Sequence, residues 1–386
     1  MASGLGPASG GVGAMTPDLA RALGDAGVDV TLHCVGETPE RAAGLDVRAH
    51  APAWPSRLAR SPALARSLGE SRPDIIHAHG LWQLPLRYAA ASATRHRVPL
   101  VISPRGMLAP WALARSRGAK LFARAFVHPT AFRRAAGYHA TSGQEAGDIR
   151  AFAPSAPICE APFGVRQVSE ADREAALAVF RRELPELGGR RVLLFYSRFH
   201  PVKGIAELLD SFVALSRAHP SWHLLAIGLP EEYSVKQLEA RVARLGLAGR
   251  VSVLDGTRLP APYPVADLFV LPSRHESFGA VVAEAVVSGV PVVTTTGTPW
   301  APLERAGVGR CVDASDLGPV LNATMALSSG RLAAMGALGR QWVLSQRSWR
   351  DTAVAVLRFY EQLAAGERAG ASDSSEDRSS SRENER

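Results

Sequence analysis

Two cations and two carboxylates stand where they can handle a phosphorylated sugar. Arg198 closes the apolar run Arg191–Ser197, and Phe199-His200-Pro201-Val202-Lys203-Gly204 forms the loop after it. An arginine and a lysine five residues apart at the carboxyl end of a strand can converge on a pyrophosphate, the first as a planar fork and the second as a point charge. Downstream, Leu271 to Ala285 reads as a strand ending at Pro272, a loop carrying Glu276, and a helix opened by Phe278-Gly279 whose second turn carries Glu284. Small residues at a helix start let a ligand reach backbone N–H groups, whose free donors and dipole attract a diphosphate. Glu284 can accept two hydrogen bonds from a ribose diol, and Glu276 can reach the hydroxyls of an attached sugar. Each feature alone has an ordinary alternative: the glutamates cap a helix and face water, and the basic pair decorates a surface loop. Both groups sit at carboxyl ends of strands in the same half of the chain, where open parallel sheets bind ligands. That coincidence weighs against the ordinary readings.

Short apolar runs alternating with longer amphipathic ones must supply those strand ends, a pattern that predicts parallel sheets wrapped by helices. The first half offers Asp29–His33, Ile75–Ala78, Leu100–Ser103 and Tyr138–Thr141 as strands. The second offers Arg191–Ser197, His223–Gly228, Val251–Asp255, Leu268–Leu271 and Val290–Thr294. Two such series predict two doubly wound domains, 1–162 and 163–348, with the turn-rich stretch Pro154–Gly164 as linker and 349–366 as a helix returning to the first domain. Residues 367–386 hold no apolar side chain large enough to build a core and are expected to be disordered. At the front, Gly4-Leu5-Gly6-Pro7-Ala8-Ser9-Gly10-Gly11 arrives before a full strand can form, and the helix Met15–Ala26 follows. The expectation is a truncated first strand, with Met1 an internal methionine of a longer reading frame.

With 386 residues, 46% of them hydrophobic and 21% charged, the chain has the composition of a folded protein of about two domains. The net charge of +8 is uneven: residues 1–165 carry +7, the last twenty −2 and the middle only +3. Dispersed arginines supply nearly all the excess, an arrangement unlike the basic stripes that bind nucleic acid. An anionic membrane surface or a phosphorylated ligand suits it better. Cys34, Cys159 and Cys311 lack the spacing of a zinc site or a disulfide framework, which points to a reducing compartment. No charged-then-apolar leader is seen at the start, and the longest apolar stretch, Gly279–Val293, is broken by Glu284, Gly289 and Pro291. The segment Trp111–Phe132 mixes large apolar side chains with arginines. It suits either a membrane surface or a helical hairpin packed on its own sheet.

Gly10-Gly11 before a helix, Asp74-Ile75-Ile76-His77-Ala78-His79-Gly80, Arg198 with Lys203-Gly204, and Glu276 with Phe278-Gly279 and Glu284 occur in an order and spacing that resemble the retaining glycosyltransferases of family 4. The likeness runs from about Gly6 to about Trp349, and the paired-glutamate segment is its most specific part. His79-Gly80-Leu81-Trp82, Ser103-Pro104-Arg105-Gly106-Met107-Leu108 and Thr298-Pro299-Trp300 further resemble members that build bacterial surface polysaccharides. The resemblance implies an α/β protein of the GT-B fold, two Rossmann-like domains facing across a cleft. It implies a cytoplasmic enzyme, working at the inner face of the plasma membrane, that moves a sugar from a nucleotide-diphosphate donor to a glycan or polyprenyl-linked acceptor.

On that resemblance Arg198 and Lys203 would bind the diphosphate and take the place of a divalent metal, so no metal or other cofactor is expected. Glu284 would hold the ribose, Glu276 the donor sugar, and Phe278-Gly279 the backbone beside them. Gly10 and Gly11 would let the first domain's loop close on the donor, and His79 would orient donor or acceptor. The ordinary alternative for His79 is a histidine capping a buried strand end, a reading that suits His77 better. Two departures stand out. Arg105 occupies a position where many relatives have histidine, and can meet a phosphate of donor or lipid-linked acceptor. Pro162-Phe163-Gly164-Val165 stands where relatives often read Pro-Asn-Gly-Val. A nucleotide-sugar epimerase on the same fold and a non-catalytic nucleotide-sugar-binding partner are the alternatives. A dehydrogenase fits worst, because the glycine turn only half-matches a dinucleotide fingerprint.

Overall fold

The computed structural model describes residues 1–6 and 10–383, the side chains at 10, 12, 14, 40 and 367–383 excepted. The chain divides into two compact units, Met1–Phe163 with Trp349–Arg386, and Gly164–Ser348. The expectation of a disordered tail at 367–386 falls outside the described side chains.

In the first unit, parallel strands β1 (Thr31–Val35) and β2 (Asp46–His50) form one ladder. β3 (Ile76–His79), β4 (Leu100–Ser103), β5 (Ala135–Ala140) and β6 (Ile158–Glu160) form another in that order, also parallel. Between the two ladders lies Ala2, buried, with isolated parallel bridges to Cys34 of β1 and His79 of β3. One residue thus occupies the place of a central strand. In the helix Gly10–Asp25 that follows, Gly13 is required: a Cβ would stand 2.6 Å from the Leu5 carbonyl oxygen. β4, Leu-Val-Ile-Ser, is buried throughout, as a strand covered on both faces must be. The alanine-rich helix Leu84–His96 lies close on it because Ala89, Ala90 and Ala93 leave no bulk between them.

The second unit holds one parallel sheet in the order β12-β11-β10-β7-β8-β9. Its strands are β7 (Arg191–Tyr196), β8 (Trp222–Gly228), β9 (Val251–Asp255), β10 (Leu268–Leu271), β11 (Val292–Thr295) and β12 (Gly309–Val312). The sequence order reverses between β7 and β10, the switch point at whose carboxyl edge open parallel sheets bind ligands. β8, β10 and β11 are wholly buried.

Three strands escape the sequence reading. β2 is polar and half-exposed, β6 is three residues long inside the stretch read as linker, and β12 opens on glycine and arginine. Each is an edge strand, where burial imposes little apolar pattern.

Packing at the far end of the second sheet predicts a sharp glycine effect. Helix Ser329–Gln346 crosses the turn before β11 so closely that a Cβ on Gly336 would fall 1.8 Å from the Gly289 carbonyl oxygen, whereas Gly330 of the same helix faces open space. Gly336→Ala is expected to lose roughly 2 kcal/mol or more in denaturant unfolding. Gly330→Ala should stay within about 0.5 kcal/mol of wild type. Equal effects would contradict the packing described.

Candidate functional site

The carboxyl edge of the second sheet is built around one ion pair. Lys203 Nζ donates to Glu276 Oε1 at 2.5 Å, with side chains only 10% and 12% exposed. Two backbone features bring these residues together. After β7 the chain makes a single 3-10 turn, Pro201–Lys203, stopped by Gly204 at φ +73°, where a Cβ would meet the Pro272 carbonyl oxygen at 2.3 Å. Only glycine permits that approach. The Val202 carbonyl then accepts from the Arg274 amide at 2.8 Å and from Ser273 Oγ at 3.1 Å, stitching the loop after β7 to the loop after β10. From the other side the Glu276 amide donates to the Gly297 carbonyl at 2.8 Å, and Thr295 Oγ1 donates to the Ser273 carbonyl.

Beyond Glu276 the chain enters the helix Ala280–Val287 through Gly279, whose φ of +73° favours glycine. Phe278 is buried, and its carbonyl accepts from Trp300 Nε1 at 2.6 Å, which fixes the approach to the helix. The Val282 amide donates to the Gly279 carbonyl at 2.9 Å, and the first amides of a helix are donors able to meet an anion. Within the helix, Glu284 Oε2 accepts from the buried Tyr263 hydroxyl at 2.8 Å. An ammonium, two carboxylates and a helix start therefore lie along one edge, a set able to hold phosphate oxygens, sugar hydroxyls and a vicinal diol. Arg198 stands apart from Lys203. Its side chain, two-fifths exposed, pairs with Glu231 at 2.7 Å in the loop after β8.

The first unit gathers a different set at its own carboxyl edge. His79 ends β3, buried, and its Nδ1 accepts from Arg105 Nη2 at 2.7 Å. Arg105 adopts φ +57° and lays its guanidinium 4.2 Å from the centre of the Phe163 ring, while its Nε and Nη1 are buried without a hydrogen-bond partner. The loop is held by buried Glu145, which accepts from the Gly106 amide at 2.7 Å and from both the amide and hydroxyl of Thr141. Gly10 and Gly11 begin the helix Gly10–Asp25, with open space around Gly11.

Behind His79 runs a hydrogen-bonded chain whose proton positions follow from its last member. His139 Nε2 can only donate to the Ala161 carbonyl, at 2.9 Å, so its Nδ1 accepts from Ser103 Oγ at 3.1 Å. Ser103 Oγ in turn accepts from His77 Nε2 at 2.7 Å, leaving His77 Nδ1 to accept from the Tyr360 hydroxyl at 2.5 Å. Thr352 Oγ1 adds a bond to the Pro162 carbonyl at 2.7 Å. The chain locks strands β3 to β5, the segment ending at Phe163 and the last helix, Trp349–Glu383, into one body.

The sequence reading brings out Lys203, Glu276, Phe278, Gly279, Glu284, His79 and Arg105 but misses Tyr263, Glu145, Ser103, His139 and Tyr360. Ser142 and Glu145 have capping-box spacing, the one local signal available. Ser142 Oγ does accept from the Glu145 amide, but the carboxylate turns to Thr141 and Gly106 instead.

Burial, then neighbouring charge, holds His77 and His79 well below the usual histidine range and pushes His139 down to about 3. All three are neutral near pH 7. The unfolded chain binds protons near pH 6.5 and the folded one does not, so their contribution is complete above about pH 6.5 and is lost as pH falls toward 3, by up to about 1.4 kcal/mol per pH unit for each. The unfolding temperature should therefore drop steadily between pH 7 and pH 5. A flat profile over that range would count against three neutral histidines.

Comparison with known proteins completes the picture. Residues 10–164 match the model of the "Glycosyl transferase 4-like domain", and residues 178–316 match "Glycosyl transferases group 1". A lipopolysaccharide core biosynthesis mannosyltransferase, LpsB of Rhizobium meliloti (strain 1021), is 33% identical over 177 residues, 44% of this chain and 50% of its own length. A GDP-mannose-dependent alpha-(1-6)-phosphatidylinositol monomannoside mannosyltransferase of Mycolicibacterium smegmatis is 34% identical over 217 residues, 52% of this chain and 55% of its own. These matches span about half the length of the curated relatives. Among solved structures, Anabaena Alr3699/HepE in complex with UDP and glucose superposes with a TM-score of 0.70 at 21% identity, covering 92% of this chain and 96% of its own. WaaG, a glycosyltransferase involved in lipopolysaccharide biosynthesis, gives 0.65 at 17% identity over 90% of this chain and 95% of its own.

Proposed function

The chain belongs to the family-4 type of glycosyltransferases with the GT-B fold, and from that premise we propose that it is a retaining, metal-independent transferase. It moves a sugar from a nucleotide-diphosphate donor to a hydroxyl of a glycan or lipid-linked glycan in cell-surface polysaccharide synthesis, at the cytoplasmic face of the membrane. The observation that carries this reading is the Lys203–Glu276 pair set beside the helix start at Gly279.

With donor present, Lys203 turns from Glu276 to the diphosphate, and Glu276 is released to accept hydrogen bonds from the sugar. Arg198, close to the same loop, exchanges Glu231 for phosphate oxygens through its planar fork. Glu284, oriented by Tyr263, takes the ribose diol. In the transfer step the bond from the anomeric carbon to the diphosphate oxygen breaks, and the acceptor oxygen bonds that carbon on the same face. The acceptor proton passes to the departing diphosphate, so no protein carboxylate acts as nucleophile. Lys203 and Arg198 offset the charge that grows on the leaving group, the part a divalent cation plays elsewhere. On the first unit, His79 and Arg105 take part in substrate binding.

The reading is tested with a panel of donors that includes GDP-mannose and UDP-glucose, following nucleotide diphosphate released with and without acceptor. One donor should turn over in the presence of a chelator. Glu276→Gln and Lys203→Ala, folded as judged by circular dichroism, should lower the rate on the order of a hundredfold or more. Activity of Glu276→Gln within a few-fold of wild type would overturn the site assignment, and chelator-sensitive turnover would overturn the metal-independent mechanism. Release of diphosphate by none of the donors, combined with donor-induced thermal stabilisation, would favour a binding partner instead.

A further inference from the structure

The first unit carries a surface that the transfer site does not use. Between β4 and β5 the chain forms short helices at Pro110–Ala114 and Arg117–Phe122, a π-helical turn at Ala123–Val127 and a helix at Pro129–Arg134. Leu121, Phe122 and Phe126 are 58%, 60% and 70% exposed, and the two phenylalanine rings cluster with centroids 5.0 Å apart. Trp111 on the same segment is also exposed. Packing on the sheet accounts for Ala112, His128 and Ala131 but leaves Leu121, Phe122 and Phe126 largely in water. Exposed apolar clusters of this kind mark contact surfaces.

The charge around them is one-sided. Residues 111–134 include Arg115, Arg117, Lys120, Arg124, Arg133 and Arg134 and no aspartate or glutamate. Arg124 of this segment, with Phe132, Arg133, Tyr138 and Phe152, lines a cavity of about 230 Å³. Arg124 lies 4.4 Å over the Phe152 ring at its wall. Tyr138 is 1% exposed, yet its hydroxyl has no hydrogen-bond partner, and burial pushes its pKa up to about 12, so it keeps its proton and can donate. A neutral donor and two guanidinium groups around a small cavity complement a phosphate monoanion or diester.

We propose that 111–134 docks on an anionic bilayer, with Leu121, Phe122 and Phe126 seated among the acyl chains and the Arg124–Arg133–Tyr138 cavity holding a phospholipid headgroup. Interfacial segments combine these two contributions, apolar insertion and attraction of basic side chains to anionic lipid. The inference deepens the membrane-face reading given above and rests on it, but it is independent of the donor chemistry.

Vesicle flotation tests it, using phosphatidylcholine vesicles with and without phosphatidylglycerol. The full chain should float with the anionic vesicles and release at high salt. Phe122→Ser with Phe126→Ser should weaken binding on the order of tenfold or more. Tyr138→Phe keeps the ring in place and should reduce binding several-fold on anionic vesicles alone. Donor hydrolysis by both variants should match wild type, so that loss of flotation and loss of transfer are read separately. Flotation that ignores lipid charge would overturn the proposal. So would a concentration-dependent dimer abolished by the phenylalanine substitutions, or a Tyr138-dependent thermal shift with inorganic phosphate in a protein that does not float.

Discussion

The Lys203–Glu276 contact sets the shape of the second unit's carboxyl edge. A nearly buried ion pair loses much of its hydration, and it persists only where geometry makes the attraction strong. That geometry comes from backbone: the loop after β7 can lie against the loop after β10 only because Gly204 has no Cβ to strike Pro272. Gly297 allows the same from the other side, where a Cβ would fall 2.4 Å from the Ser273 carbonyl oxygen. Two loops from strands distant in sequence are thus pressed into one surface. On the function proposed above, a ligand phosphate would meet there a cation whose charge is already balanced, and would displace a carboxylate rather than water.

The two units solve the problem of polar groups at a sheet edge in opposite ways. The second keeps its charges and pairs them, Lys203 with Glu276 and Arg198 with Glu231. The first suppresses charge, holding His77, His79 and His139 neutral, with His77 joined to His139 through Ser103 and His79 stacked on His77. Arg105 is the exception there, a cation with two buried donor nitrogens and an aromatic ring for company.

Strands β4 and β10 are legible in the sequence because full burial writes a compact apolar run, and the second unit's candidate site is legible because cations and carboxylates recur at strand ends. The hydrogen-bonded chain is not. Its members lie at 77, 103, 139 and 360, and no local pattern links residues that only the fold makes neighbours. Arg198 shows a different limit. Its position after β7 is readable, but the pull of Glu231, supplied by a loop more than thirty residues on, is not. The segment 111–134 is ambiguous by composition, since apolar and basic side chains suit a hairpin or a surface equally. That Leu121, Phe122 and Phe126 stand exposed is a fact of the fold that composition does not carry.

The bond from Tyr360 to His77 joins residues 283 positions apart and lies inside a single compact unit. During synthesis the first unit's sheet must therefore wait, with His77, Ser103 and His139 lacking their last partner, until the whole second unit has been translated. The second unit, continuous from Gly164 to Ser348, has every residue it needs before the closing helix emerges. The ribosome delivers the amino-terminal half first, yet that half is the one completed last.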